Sequence, residues 1–113
     1  MRMMLVGAGA VGESIVKVMQ WRDPKGEWLE YVLVCDYDRN RAQEVVNKLH
    51  GDKRFEAEKV NATDREEMKE LIREHQIDFV MDAAPPFASN MIFDAAFKTG
   101  ADYGSMGNWS VPM

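Results

Sequence analysis

The first twelve residues constrain this chain more than any other stretch. Met3-Met4-Leu5-Val6 is a short apolar run, and Gly7-Ala8-Gly9-Ala10-Val11-Gly12 follows it at once as a G-x-G-x-x-G. Glu13 to Met19 then reads as a helix. Strand, glycine turn and helix in that order is the context in which this motif binds a dinucleotide. Gly7 permits the tight turn out of the strand. Gly9, without a Cβ, lets a pyrophosphate approach the backbone, and Gly12 lets the helix pack close to the strand. Ala10 and Val11 open the helix, whose free N–H groups and dipole favour phosphate. The bare spacing also occurs in chance glycine clusters; the flanking elements make it specific.

The rest of the chain alternates strand and helix. Helix one is expected over about Ala10 to Trp21, with Ile15, Val18 and Met19 on its inner face. Asp23-Pro24-Lys25-Gly26 breaks it. Tyr31 to Cys35 is a continuous apolar run, as expected of a strand buried on both faces of a parallel sheet. Asp38 can cap a second helix, Arg39 to Leu49, with Ala42, Val45, Val46 and Leu49 inward and Gly51 as the stop. Phe55 to Val60 is mostly polar and suits a sheet edge. Thr63 is the expected N-cap of a third helix, with Glu66 as its capping-box partner and Met68, Leu71 and Ile72 as the apolar stripe. Phe79-Val80-Met81 is strand four, Phe87 to Thr99 helix four, and Ala101-Asp102-Tyr103 the start of a fifth strand. This pattern implies an α/β fold of Rossmann type: three layers, a parallel sheet, and strand order 3-2-1-4-5. The ligand is then expected at the carboxyl ends of strands one and four.

At 113 residues the chain is one domain, residues 1–113. The tail from Gly107 to Met113 carries no helix, strand or cap signal, so the expectation is the N-terminal part of a longer chain. A net charge of −5 and no basic stripe argue against nucleic acid and anionic membrane as partners. The single Cys35 cannot form an internal disulfide and lies in an apolar run, so it reads as a core residue. No apolar run reaches the ~18 residues of a membrane helix. A cytoplasmic setting fits these features, and a homodimer is compatible with them.

Several residues carry the expected chemistry. Asp36 ends the second strand, 24 residues after Gly12. A carboxylate there accepts from both hydroxyls of the adenosine ribose, which favours NAD and repels the 2′-phosphate of NADP. Tyr37 follows it. Arg39 and Arg41 offer guanidinium groups that either stack on adenine, hold a 2′-phosphate, or remain solvated helix charges. NAD is the favoured cofactor and NADP the alternative. Asn61-Ala62-Thr63-Asp64 is the loop expected near the adenine edge; Thr63 and Asp64 more simply cap the next helix. Ala83-Ala84-Pro85-Pro86 follows strand four and would pass beneath the second ribose and pyrophosphate. Its prolines fix the loop and donate no hydrogen bond. Asp82 can orient that loop. His50 and His75 read as surface residues, no metal site is expected, and no catalytic dyad is evident.

Together these segments resemble the N-terminal domain of the saccharopine dehydrogenase family. The resemblance rests on Met4 to Gly12, Asp36-Tyr37-Asp38-Arg39, Asn61 to Asp64, Ala83 to Phe87, and Thr99-Gly100-Ala101-Asp102-Tyr103. Gly104 departs from it, standing where many members have Asp. The resemblance implies the cofactor half of an oxidoreductase. The parent would transfer a hydride at a C–N bond of an amino-acid-derived imine or amine, with substrate held by a further domain. The alternative is a non-catalytic NAD-sensing domain of a potassium-transport regulator, which shares the glycine turn, the strand-two Asp and a similar third loop. A methyltransferase is a weaker competitor, because it needs a longer sheet with an antiparallel end strand.

Overall fold

The computed structural model describes residues 1–105. The tail from Gly107 to Met113 lies outside the described residues. The elements are β1 (Arg2–Val6), α1 (Ala10–Arg22), β2 (Tyr31–Asp36), α2 (Arg39–Asn47), β3 (Phe55–Lys59), α3 (Arg65–Glu74), β4 (Phe79–Asp82), α4 (Ser89–Thr99) and β5 (Asp102–Ser105). A 3₁₀ turn, Pro86–Ala88, precedes α4. All pairings are parallel, in the order β3-β2-β1-β4-β5. The expected Rossmann order is therefore the observed one.

Alternation along the central strands divides the interior in two. Met3 and Leu5 of β1, with Val32 and Val34 of β2, pack with Val16 of α1 and Ala42 and Val45 of α2. Met4 and Val6, with Leu33 and Cys35, face Met68 and Ile72 of α3 and Ile92 and Ala96 of α4. Both faces of β1 and β2 are thus dry, which is why their sequences are continuously apolar. β3 lies at the sheet edge, where Glu56, Glu58 and Lys59 remain wholly or partly in water.

Two local expectations change. On α1 the fully buried residues are Gly12 and Val16, with Ile15 and Met19 packed beside them, while Val18 is half exposed. The need to bring Gly12 against β1 sets the helix rotation, and that rotation turns Val18 outward. Of the two capping candidates of α3, Asp64 caps and Thr63 does not: Asp64 accepts from the N–H groups of Glu66 and Glu67, both at 3.1 Å. Thr63 is diverted because its hydroxyl donates to Asn61 Oδ1 at 2.6 Å. The reaching carboxylate is then Glu67, whose Oε1 accepts from the Asn61 N–H at 3.4 Å. At the far end of α4, Gly100 takes φ +82° as a left-handed stop.

Candidate functional site

The carboxyl ends of β1, β2 and β4 meet around the glycine turn. Gly7 N–H donates to the Cys35 carbonyl at 2.8 Å, and Ala83 N–H donates to the Val6 carbonyl at 2.8 Å. The turn is thereby joined to both neighbouring strands. Gly7 has φ +107°, in the region that favours glycine. A Cβ there would sit 2.6 Å from the Ala83 carbonyl oxygen. A Cβ on Gly12 would sit 2.0 Å from the Gly7 carbonyl oxygen. These two glycines are filled in by the fold itself. Gly9 differs, because a Cβ there would meet nothing within 4 Å. Its open side is the space that a pyrophosphate requires. α1 starts at Ala10 with no side-chain cap from Gly9, so its first-turn N–H groups keep their capacity for an anion. The residues present therefore fit a dinucleotide phosphate.

Asp36, the last residue of β2, is half-buried and held on both oxygens. Its Oδ2 accepts from the Ala8 N–H at 2.8 Å and its Oδ1 from the Asp38 N–H at 2.9 Å. A carboxylate has about four acceptor sites. Two backbone bonds fix its plane and leave acceptor capacity for ribose hydroxyls. Asp38 in turn caps α2 through the Asn40 N–H at 2.9 Å.

A cleft of about 510 Å³ opens beside this carboxylate. Gly7, Asp36 and Tyr37 line one wall, Ala62 and Thr63 another, and Ala84 and Pro85 a third. With Arg41 and Asn61, which also line it, nine of the residues expected from sequence share one cavity. Gly9, Ala10, Val11 and Gly12 continue from it along the turn into α1. Ala83 lies behind Gly7 rather than on the cavity wall, and Asp64 is committed to its cap. The two arginines separate: Arg41 lines the cleft, whereas Arg39 is exposed at the start of α2 and does not. The Arg41 guanidinium has no ion-pair partner among the described residues. The Lys59 ammonium lies 5.6 Å from the centre of the Tyr37 ring.

Three lining residues carried little signal in the sequence. Phe87 and Ala88 stand where a loop turns into a helix, and Val60 ends an edge strand. In the sequence Phe87 marked only the end of the Ala83 to Phe87 segment and the start of helix four; in the fold it remains 73% exposed. Cys35 is fully buried and its thiol is pushed well up by burial, so it is a packing residue and not a nucleophile. His75 is less solvated than expected. Its ring stacks on Tyr31 at 5.8 Å, at the opposite end of the sheet from the cleft.

A glycine turn, an open phosphate space and a strand-end carboxylate beside a cleft define a nicotinamide dinucleotide-binding domain of Rossmann type. The chain matches the family described as "Saccharopine dehydrogenase NADP binding domain" over residues 3–108. It belongs to that family. Among curated relatives, the carboxynorspermidine synthase of Vibrio alginolyticus is 31% identical over 107 residues, covering 91% of this chain and 26% of the relative. That of Vibrio cholerae is 27% identical over 111 residues, with the same two coverages. The chain thus spans about a quarter of the length of these relatives. Among solved structures, apo saccharopine dehydrogenase (L-Glu forming) from Saccharomyces cerevisiae superposes with a TM-score of 0.73 at 15% identity, covering 92% of this chain and 21% of that one. A dTDP-glucose 4,6-dehydratase from Bacillus anthracis in complex with NAD gives 0.75 at 14% identity, covering 93% and 36%. These two likenesses concern the fold. Among the described residues, no helix is long and apolar enough to cross a membrane.

Proposed function

We propose that this domain binds NAD in preference to NADP, as the N-terminal cofactor-binding part of a longer oxidoreductase. The parent reaction is hydride transfer at the C–N bond of an amino-acid-derived imine or amine. Family membership and the carboxynorspermidine synthase relatives support that class. The observation that carries the cofactor preference is Asp36, which lines the cleft with its carboxylate plane fixed by Ala8 and Asp38.

When bound, the nicotinamide supplies or accepts the hydride. The chain's own residues bind and orient. Gly9, Ala10, Val11 and Gly12 cradle the pyrophosphate with backbone N–H groups and the helix dipole, and Gly7, whose own N–H is bound to Cys35, makes the turn that presents them. Asp36 accepts from the adenosine ribose. Tyr37 and Arg41, with Ala62 and Thr63, surround the adenine, while Arg39 stands outside the cleft wall and Asp64 caps α3 beneath the loop. Ala84 and Pro85 form the floor, and Ala83 backs the glycine turn. No residue of this domain is assigned to proton transfer; the substrate and its acid–base groups belong to the remainder of the parent.

Fluorescence titration with NADH and separately with NADPH tests the reading. NADH is expected to bind more tightly. Asp36→Ala is expected to weaken both, because Ala8 N–H loses its acceptor, and to weaken NADH more. Equal losses would remove the ribose role, and tighter NADPH binding would shift the weight to the arginines.

A further inference from the structure

We propose that Tyr103 is a positioning residue for the floor of the cleft, acting through Asp82 on Ala84. Asp82 closes β4 opposite Val6 of β1, and its side chain is fully buried. It has no ion-pair partner among the described residues. Two donors hold it. Tyr103 of β5 donates its hydroxyl to Oδ2 at 2.7 Å, and Ala84 donates its N–H to Oδ1 at 3.0 Å. A buried carboxylate must be hydrogen-bonded, so both bonds matter to where its plane lies.

The loop beyond has few other anchors. Pro85 and Pro86 have no N–H. Ala83 N–H is bound to Val6, and Ala84 N–H is bound to Asp82. Ala84 lines the cleft, and the Ala83 carbonyl is the surface against which Gly7 closes. The height of this loop therefore sets both the floor and the glycine turn. Tyr103 is itself held firmly. Phe93 packs edge-on against its ring at 5.3 Å. Burial and then the bond to Asp82 push its hydroxyl pKa upward, partly offset by bonds involving Ser105 and Ser89. The hydroxyl therefore stays protonated and remains a donor to Asp82. Without it, Oδ2 loses its donor, the carboxylate reorients or draws in water, and Ala84 loses a fixed acceptor.

This proposal rests on the dinucleotide-binding reading, so its test has one readout that needs no ligand. Tyr103→Phe removes only the hydroxyl. Amide hydrogen exchange at Ala84, measured on the full chain without ligand, is expected to accelerate about tenfold. The Kd for NADH is expected to rise by roughly five- to tenfold. Tyr31→Phe is the control: it removes a hydroxyl bonded to Glu56 at the other end of the sheet and is expected to lower Tm without moving Kd. Asp82→Asn in the Tyr103→Phe background is expected to add less to Kd than Asp82→Asn alone. A Tyr103→Phe protein that loses Tm but keeps its Kd would overturn the proposal, as would unchanged Ala84 exchange. If the unaltered chain binds neither NADH nor NADPH, the cofactor reading fails, and faster Ala84 exchange would still show the loop to be held by Tyr103.

Discussion

At the amino ends of the strands, carboxylates meet cations as well as backbone; at the carboxyl ends, Asp36 and Asp82 meet only backbone N–H groups and a hydroxyl. Arg2 pairs with Glu30 at 2.9 Å, donates to the His75 carbonyl at 2.8 Å, and lies 4.4 Å above the Tyr31 ring. Tyr31 donates to Glu56 at 2.6 Å. Arg54 pairs with Asp52 at 2.7 Å and approaches Asp23 at 3.8 Å. That end satisfies itself. At the other end, Asp36 and Asp82 are held by N–H groups and one hydroxyl, and the nearby Arg41 has no carboxylate partner among the described residues. The open space beside Gly9, helix N–H groups without a side-chain cap and an unpaired guanidinium together are the complement of an anionic ligand. One end of the sheet is built for stability and the other for binding, and substitutions should separate accordingly.

The sharpest separation lies within the glycine turn itself. Gly12→Val puts a side chain into the Gly7 carbonyl, and the backbone has nowhere to retreat. A loss of at least about 3 kcal/mol is expected in urea unfolding. Gly9→Val meets open space and has extended backbone at φ −79°. Its stability should stay within about 0.5 kcal/mol of the parent, while NADH binding disappears because the side chain fills the phosphate space. If both variants unfold alike, Gly9 is structural and the contrast fails.

Asp23 tests the opposite end. It accepts from the N–H groups of Glu27, Trp28 and Leu29 at 2.8, 3.0 and 2.7 Å. Asp23→Ala strands these donors and should lower Tm by about 10 °C. NADH affinity should not change. A change in affinity would mean that the two ends communicate through the sheet.

What the sequence made legible follows the same division. The strands, their order and the glycine turn depend on local pattern and backbone chemistry, and these read directly from Met3 to Gly12 and from Tyr31 to Asp36. The stripe of Met68, Leu71 and Ile72 is equally plain. The rotation of α1 was misread because Ile15, Val16, Val18 and Met19 offer more than one apolar face, and a steric demand at Gly12 chose among them. The choice of Asp64 over Thr63 as the cap of α3 was not legible, because Asn61 competes for the Thr63 hydroxyl. Asp23 looked like a helix breaker, since nothing local reveals that its carboxylate gathers three later N–H groups and meets Arg54. Asp82 was legible as a residue that orients the loop after β4, and it does so through Ala84, but its bond to Tyr103 was hidden. Bonds of individual polar side chains leave no periodicity, and they decide how the site is held.

The smallest expected effect is a pH dependence that belongs to the closed end alone. Arg54, hydrogen-bonded to Asp52, lowers the Asp52 carboxyl from its ordinary range to about 2. A carboxylate with a depressed folded pKa stabilises the fold above its unfolded value, near 3.8. That contribution is lost as pH falls through about 2, because protonation then releases Arg54. Allowing for solvent screening, the term is about 1 kcal/mol. Urea midpoints measured between pH 5 and pH 2 should fall less steeply in Asp52→Asn than in the parent, and the two curves should converge at the acid limit. NADH affinity at neutral pH should be the same in both proteins, since Asp52 lies at the end of the sheet away from the cleft. Parallel acid slopes would mean that Arg54 gains no more from a charged Asp52 than from a neutral amide, and that the closed end is held by its backbone acceptors instead.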